Sequence, residues 1–100
     1  MSNLKKLPTW LIVSPDSALV VLSKPYEING VQVDRLTLRA PTVRDVRAAN
    51  AMGGGDEEQR EMNLFASLSE SGLKDLEGLK LTDYQRLQAA YFRLVQDDGV

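Results

Sequence analysis

The chain of 100 residues contains no cysteine and no histidine. Without cysteine it can form no disulfide, no thiolate metal site and no cysteine nucleophile. Without histidine it lacks the side chain that most often acts as acid or base near neutral pH and that commonly binds zinc. We therefore expect a protein that is not an enzyme and that uses no catalytic residue, metal or cofactor. A small hydrolase using a serine or paired carboxylates is the weakest alternative, because no Gly-x-Ser-x-Gly element is present.

Long apolar runs are also missing. No segment approaches the roughly 18 apolar residues of a membrane span. Residues 10–13 follow two lysines, but this apolar stretch is too short for a secretory signal and is bracketed by Pro8 and Pro15. We expect no membrane partner and a location in the cytoplasm. With 43% apolar and 26% charged residues, the composition is that of one small globular domain.

Charge is distributed unevenly along the chain. Residues 1–50 carry a net charge of +3 and residues 51–100 a net charge of −5, which together give −2. An alternative function, a small regulatory nucleic-acid-binding protein, would use the basic cluster Arg35, Arg39, Arg44 and Arg47. Two aspartates are interleaved with these arginines and no aromatic platform accompanies them. Phosphate attraction needs a sustained basic face, so we expect no nucleic-acid partner.

A β-hairpin is predicted in the first half of the chain. Residues 18–22 form an apolar run, residues 31–38 alternate apolar with polar side chains, and Asn29-Gly30 between them is a strong turn signal. A two-residue loop gives the pairs Ile28 with Val31, Tyr26 with Val33 and Val21 with Leu38. This register places the apolar residues of the two halves on opposite faces. We therefore expect a register shift near Pro25, which suits a bulge or an edge because it lacks an amide hydrogen.

A capped helix follows the hairpin at residues 43–52. Thr42 is the expected N-cap, and Asp45 lies in the first turn, where the helix dipole favours a carboxylate. Three glycines then permit the positive φ of a helix C-cap. They are Gly53, Gly54 and Gly55. The predicted inner stripe of this helix consists of Val43, Val46, Ala49 and Asn50.

Three further helical segments are predicted. One spans residues 56–69 with an inner stripe of Glu61, Leu64, Phe65 and Leu68, and Gly72 ends it. Its first three carboxylates could be interpreted as a metal site, but the helix dipole explains them better. A short leucine-rich turn covers residues 73–79. Thr82 is expected to cap a last helix at residues 83–96, with an inner stripe of Tyr84, Leu87, Tyr91, Leu94 and Val95.

These elements predict an α+β fold with an N-terminal β-hairpin followed by three to four short helices. Residues 10–13 would form either a short extra strand or an anchoring arm. We expect an N-terminal arm at residues 1–17 and a single domain at residues 18–97.

Four side chains are candidates for binding a partner. Phe92 and Arg93 fall outside the centre of the last helical stripe, so Phe92 must be covered either by another part of this chain or by a partner. Met52 and Met62 flank the glycine loop, and methionine adapts to varied surfaces. Filling of the core is the favoured interpretation of the two methionines, with a partner surface as the alternative.

Two segments together resemble a known family. The first contains Leu36-Thr-Leu-Arg39, Pro41-Thr42, Asp45 and the three glycines, and the second contains Leu76, Leu79, Asp83-Tyr84 and Leu87-Gln88. Their order and spacing are similar to those of the phage tail assembly chaperones typified by the E proteins of contractile-tailed phages and Mu-like prophages. The resemblance covers residues 22–95.

The resemblance implies a non-enzymatic role in virion assembly. Members of the family bind the long, helical and aggregation-prone tape measure protein in the host bacterial cytoplasm until tail tube subunits polymerise around it. The expected partners are the tape measure protein and a longer form of the chaperone made by translational frameshifting. Self-association into a homo-oligomer is also expected, because an apolar strip that awaits a client is protected by a second copy.

Overall fold

The computed structural model describes residues 7–96. Residues 1–6 of the expected arm and residue 97 of the expected domain lie outside this range. The described part contains three strands and four helices, which confirms the predicted α+β class. They are β1 (Leu11–Val13), β2 (Ser17–Ile28), β3 (Val31–Arg39), α1 (Val43–Gly53), α2 (Glu57–Ser69), α3 (Leu73–Glu77) and α4 (Leu81–Val95).

The three strands form an antiparallel sheet in the order β1-β2-β3. Next to the Asn29-Gly30 turn, the predicted pairs of Ile28 with Val31 and Tyr26 with Val33 are confirmed. The register then shifts between Val21 and Tyr26, as the conflict of faces predicted. The pairing of Val21 with Leu38 is wrong. The observed pairs are Val21 with Arg35 and Ala18 with Leu38.

The size of the register shift explains the observed pairs. Residues 22–25 of β2 lie opposite Asp34 alone on β3, so β2 carries three extra residues. Side chains alternate between the faces with a period of two, and the buried residues of β2 keep the same phase from Ala18 to Ile28. The odd surplus therefore changes which residues of β3 lie opposite them, from Val33 near the turn to Leu36 and Leu38 beyond the shift. The apolar residues on both sides of the shift therefore share one buried face. On β2 and β3 these residues are Ala18, Val20, Leu22, Tyr26, Ile28, Leu36 and Leu38.

The helices cover this face of the sheet. α4 packs on β2 and β1, α2 packs on β3, and α1 packs on α2. Phe65 of α2 is completely buried, with its ring centre 5.6 Å from that of Tyr84 and 5.3 Å from that of Tyr91. Three aromatic rings thus join α2 to α4 at the centre of the core, in the tilted arrangements that aromatic pairs favour.

α1 begins with a reciprocal capping box. The backbone N–H of Asp45 donates to the Thr42 hydroxyl (3.2 Å), and the Asp45 carboxylate accepts from the Thr42 backbone N–H (2.8 Å). The helix ends before Gly54, whose φ of 60° is the left-handed conformation that glycine adopts without strain. The expected inner stripe is only partly correct. Ala49 is buried and Val46 half-buried, but Val43 and Asn50 are exposed, since α1 contacts the domain mainly through α2.

Gly72 does not end α2. The helix stops at Ser69, and Glu70 takes the left-handed conformation with φ 57°. The Asn29 side chain at the hairpin turn donates to the Glu70 carbonyl oxygen (2.8 Å), so a contact with the sheet helps to hold this helix end. Gly72 instead precedes α3 as its N-cap, and its N–H donates to the Asp75 carboxylate.

Thr82 does not cap the last helix. α4 begins at Leu81, and its N-cap is Lys80, which makes no side-chain capping bond. The Lys80 backbone N–H donates instead to the Tyr26 hydroxyl (3.0 Å). At the other end of α4, Val95 is exposed, so its expected place in the inner stripe is also wrong. The stripe turns away from the core in the last turn of the helix.

The capping box generates a prediction about stability. Thr42→Ala should lower the free energy of unfolding by about 1 kcal/mol, because it removes the acceptor for the Asp45 N–H at the start of α1. Urea denaturation measures the change. Thr42→Ser keeps a hydroxyl and is the control, with stability close to that of the original chain. Equal unfolding free energies for the alanine and serine variants would contradict the proposed contribution of the cap.

Candidate partner-binding surface

A buried carboxylate fixes the position of α4 on the sheet. Asp83 has no solvent exposure and accepts three hydrogen bonds from β2. The Ser23 backbone N–H donates to Oδ1 (2.9 Å), and the hydroxyls of Ser23 (2.7 Å) and Tyr26 (2.6 Å) both donate to Oδ2. Charge-assisted bonds of this length are strong, and three donors compensate for the lost hydration of the carboxylate.

The donors come from the register shift in β2. Ser23 lies among the residues that have no partner on β3, so its N–H would have no acceptor in the sheet ladder. Asp83 supplies that acceptor. One turn further along α4, Arg86 donates to the Val21 carbonyl oxygen (2.7 Å) and stacks 5.1 Å from the centre of the Trp10 ring. α4 is therefore held to β2 by two charged side chains and to the N-terminal segment by a cation–π contact.

The protonation behaviour of this network follows from burial and hydrogen bonding. Burial is the largest single influence on the pKa of Asp83 and opposes its ionisation. The hydrogen bonds from Tyr26 and Ser23, together with the positive charge of Arg86, outweigh burial and lower the pKa of Asp83 below its ordinary value. Burial, followed by the bond to Asp83, raises the pKa of Tyr26. A fully buried carboxylate that already accepts from three donors is not available to a substrate, so the network is structural.

The opposite side of α4 carries an exposed strip. Its residues follow the spacing i, i+4, i+7, i+11 and i+14, which places them along one side of a helix. We call these residues the α4 strip: Leu81, Gln85, Gln88, Phe92 and Val95. The exposed fractions of its apolar side chains are 69% for Leu81, 61% for Phe92 and 46% for Val95. Three large apolar groups thus face solvent on one side of α4, while the other side of the helix is bonded to the sheet.

The four candidate partner-binding residues do not form one cluster. Phe92 lies in the α4 strip, whereas Arg93 is half-buried on another side of the helix. Met62 is half-buried in a groove that Leu81, Gln85 and Gln88 of the strip also line. Met52 is 70% exposed at the end of α1, outside that groove. Leu81 is not among the candidates from the sequence, because the sequence pattern predicts a helix that begins only at residue 83.

The groove that contains Met62 runs between α2, α3 and α4. Apolar side chains line it together with three glutamates, and no lysine or arginine of residues 7–96 does. We call it the acidic groove. Its lining consists of Met62, Leu76, Leu79, Leu81 and Tyr84 with Glu58, Glu61, Glu77, Gln85 and Gln88. Glu61 accepts from the hydroxyl of Tyr84 (2.8 Å) and the amide of Gln88 (2.9 Å). Burial and the contact with Glu61 raise the pKa of Tyr84.

The four arginines of the alternative nucleic-acid site are not equivalent. Arg35 pairs with the adjacent Asp34 (2.9 Å). Arg39 donates to both carboxylate oxygens of Asp45, at 2.7 and 3.1 Å. Arg44 and Arg47 are exposed on α1 and form no ion pair with any residue of the described range. Two of the four positive charges are therefore matched locally, and only a short basic face on α1 remains.

Neither a metal site nor a membrane span is visible in residues 7–96. No group of three or more carboxylates in this range is arranged to hold a metal ion. No helix of the described chain is both long and apolar enough to cross a bilayer.

A comparison against known families identifies the class of protein. Residues 19–96 match the family described as phage tail assembly chaperone proteins, E, or 41 or 14. The match spans more than half of the chain, and the chain therefore belongs to this family of tail assembly chaperones. Searches of the curated proteins and of the solved structures gave no match.

The Asp83 network generates a prediction about stability. Asp83→Asn should lower the free energy of unfolding by about 2–4 kcal/mol, because the amide NH₂ replaces one acceptor oxygen and leaves donors of β2 unsatisfied. Ser23→Ala removes one hydroxyl donor and should cost about 1 kcal/mol. The exposed Asp34→Asn is the control and should leave the melting temperature nearly unchanged. A melt of Asp83→Asn that coincides with that of Asp34→Asn would show that the network contributes little.

The same network predicts how stability depends on pH. The pKa of Asp83 is lower in the folded chain than the ordinary value of 3.8. Its contribution is therefore complete above that value and is lost as the pH falls toward the folded pKa. Asp45 acts in the same direction, because hydrogen bonds from Arg39 and Thr42 hold its pKa well below the usual range. Urea midpoints measured from about pH 5 to about pH 2.5 should fall less steeply for Asp83→Asn than for the original chain. Parallel curves would contradict a depressed pKa for Asp83.

Proposed function

We propose that this chain is a non-enzymatic chaperone that binds the tape measure protein of its phage. In the host bacterial cytoplasm it keeps this client soluble until tail tube subunits polymerise around it. Family membership supports the general role in tail assembly. The α4 strip supports the choice of client, because a helical, aggregation-prone protein exposes apolar ridges that an apolar helix face can cover.

The observation that carries this proposal is the exposure of Phe92 beside Leu81 and Val95 on one side of α4. Single exposed apolar residues are ordinary, but several large ones along one helix face are typical of an interaction surface. The glutamines between them offer hydrogen bonds to the edges of a bound helix. A client helix lying along α4 would bury the ring of Phe92, and buried aromatic side chains are among those that contribute most to binding.

The support beneath the strip favours binding without rearrangement. Asp83 and Arg86 tie α4 to β2, and Leu87 and Ala90 of the same helix are completely buried. A surface that is already ordered in the free protein loses little conformational entropy when a partner binds. The strip is thus already ordered before binding, and most of the loss of conformational entropy on binding occurs in the client.

The direct test is co-expression with the tape measure protein of the same genome. The soluble fraction of the client is measured with and without the chaperone, and the chaperone is then purified through an affinity tag. We expect a larger soluble fraction and co-purification of the client. A client that stays insoluble in the presence of folded chaperone would contradict the proposal.

Phe92→Ala separates binding from folding. The ring is largely exposed, so its truncation should cost much less than the 3–5 kcal/mol typical of a buried phenylalanine. Capture of the client should fall by about tenfold or more, as for an interface anchor. Val31→Ala is the matched control, because Val31 is 59% exposed on β3, close to the 61% of Phe92, and lies outside both the α4 strip and α1. It should change neither property.

Two results would redirect the proposal. A large loss of stability in Phe92→Ala would mean that the ring belongs to the core in solution. Unchanged stability together with unchanged capture would place the client on a surface other than the α4 strip.

A further inference from the structure

Two surfaces of the domain carry opposite and unmatched charges. The first is the acidic groove, with the carboxylates of Glu58, Glu61 and Glu77 along its sides. The second is an exposed face of α1, formed by Val43, Arg44, Arg47 and Ala48, which together line a shallow depression. We call it the basic α1 face. No residue belongs to both surfaces.

The acidic groove is not neutralised within the described chain. The ion pairs of residues 7–96 join Arg35 to Asp34, Arg39 to Asp45 and Arg60 to Glu57. None of them involves a glutamate of the groove. Among the described residues, Glu61 accepts only from the uncharged groups of Tyr84 and Gln88. Three negative charges therefore lie beside an apolar floor, an arrangement that favours a partner with both positive and apolar side chains.

The basic α1 face has the complementary features. Arg44 and Arg47 are three residues apart on one helix, which corresponds to a rise of about 4.5 Å. Glu58 and Glu61 have the same spacing on α2. Val43 is 76% exposed beside the two arginines, so the face offers one apolar side chain together with two cations.

We propose that the acidic groove of one copy of this protein binds the basic α1 face of a second copy. Arg44 and Arg47 pair with glutamates of the groove, and Val43 contacts its apolar floor beside Met62 and Leu81. The groove and the α1 face are different surfaces, so the contact is heterologous. Each pair of copies keeps one free groove and one free α1 face, which allows further copies to add. This association needs no client and does not rest on the proposed function.

The physical origin of the contact determines its response to salt. Exposed ion pairs are individually weak, and their attraction is screened over a Debye length of about 10 Å at 0.1 M salt. We therefore expect self-association that strengthens with protein concentration and weakens as salt is raised. A symmetric dimer formed through the apolar α4 strip would behave differently, because burial of apolar surface does not weaken with added salt.

Sedimentation equilibrium of the chain alone provides the test. At about 20 mM salt the mean mass should rise with concentration above that of one chain, and at about 0.5 M salt it should return to that of one chain. Two charge-reversed variants probe the two surfaces. The groove variant is Glu58→Lys with Glu77→Lys, and the α1 variant is Arg44→Glu with Arg47→Glu. All four positions are exposed, so the core is unchanged, and thermal melts check that each variant folds.

Each variant alone should self-associate at least about tenfold more weakly, because like charges then meet in the contact. An equimolar mixture of the two should recover low-salt association, since each reversed surface finds its complement on the other variant. Asp16→Lys with Glu27→Lys changes the net charge as much as the groove variant does, at exposed positions outside both surfaces. This control should associate like the original chain.

Three results would overturn the proposal. The original chain could keep the mass of one copy at low salt at every concentration. Its association could persist unchanged at high salt. Folded variants could also fail to recover association when they are mixed. None of these measurements includes the tape measure protein, so their outcome is independent of whether the client binds the α4 strip.

Discussion

The relation between the sheet and the last helix depends on the ionised Asp83. A carboxylate without solvent is stable only where donors replace its hydration, and Ser23 and Tyr26 provide three. The same donors become available only because β2 departs from regular pairing with β3 at this point. The irregular strand and the position of α4 are therefore two results of one constraint. The exposure of Phe92 follows from it, since fixing one side of the helix on the sheet turns the other side to solvent.

Features determined by neighbouring residues could be predicted from the sequence. The Asn29-Gly30 turn, the Thr42 cap and the end of α1 at the glycines each depend on the chemistry of a few adjacent positions. The existence of a register shift was also predictable, because regular pairing divides the apolar residues between two faces. Its size was not predictable. Three extra residues are accommodated because Ser23 reaches a carboxylate 60 positions away, which no local pattern contains.

The two helix ends that the sequence predicted wrongly, the start of α4 and the end of α2, have a similar cause. Threonine is a common N-cap, yet α4 starts before Thr82 because the hydroxyl of Tyr26 accepts the Lys80 N–H. Glycine commonly ends a helix, yet α2 ends before Gly72, where Asn29 of the hairpin turn binds the carbonyl of Glu70. In both cases the hydrogen-bonding group comes from the β-hairpin, whereas the sequence pattern indicated a residue next to the helix end. The earlier start of α4 also affects the candidate site, since it brings Leu81 into the helix and onto the α4 strip.

The hydrogen bonds between β2 and α4 have a consequence for the folding pathway. They join residues that are 54 to 65 positions apart, from the bond between Lys80 and Tyr26 to the bond between Arg86 and Val21. Closing loops of this length costs chain entropy before any contact is gained, which slows folding. An isolated hairpin could not satisfy the Ser23 amide within the sheet, so the bulged strand gains its final order only when α4 docks. Sheet formation and helix docking should therefore occur in one cooperative step, and the isolated hairpin should not be stable.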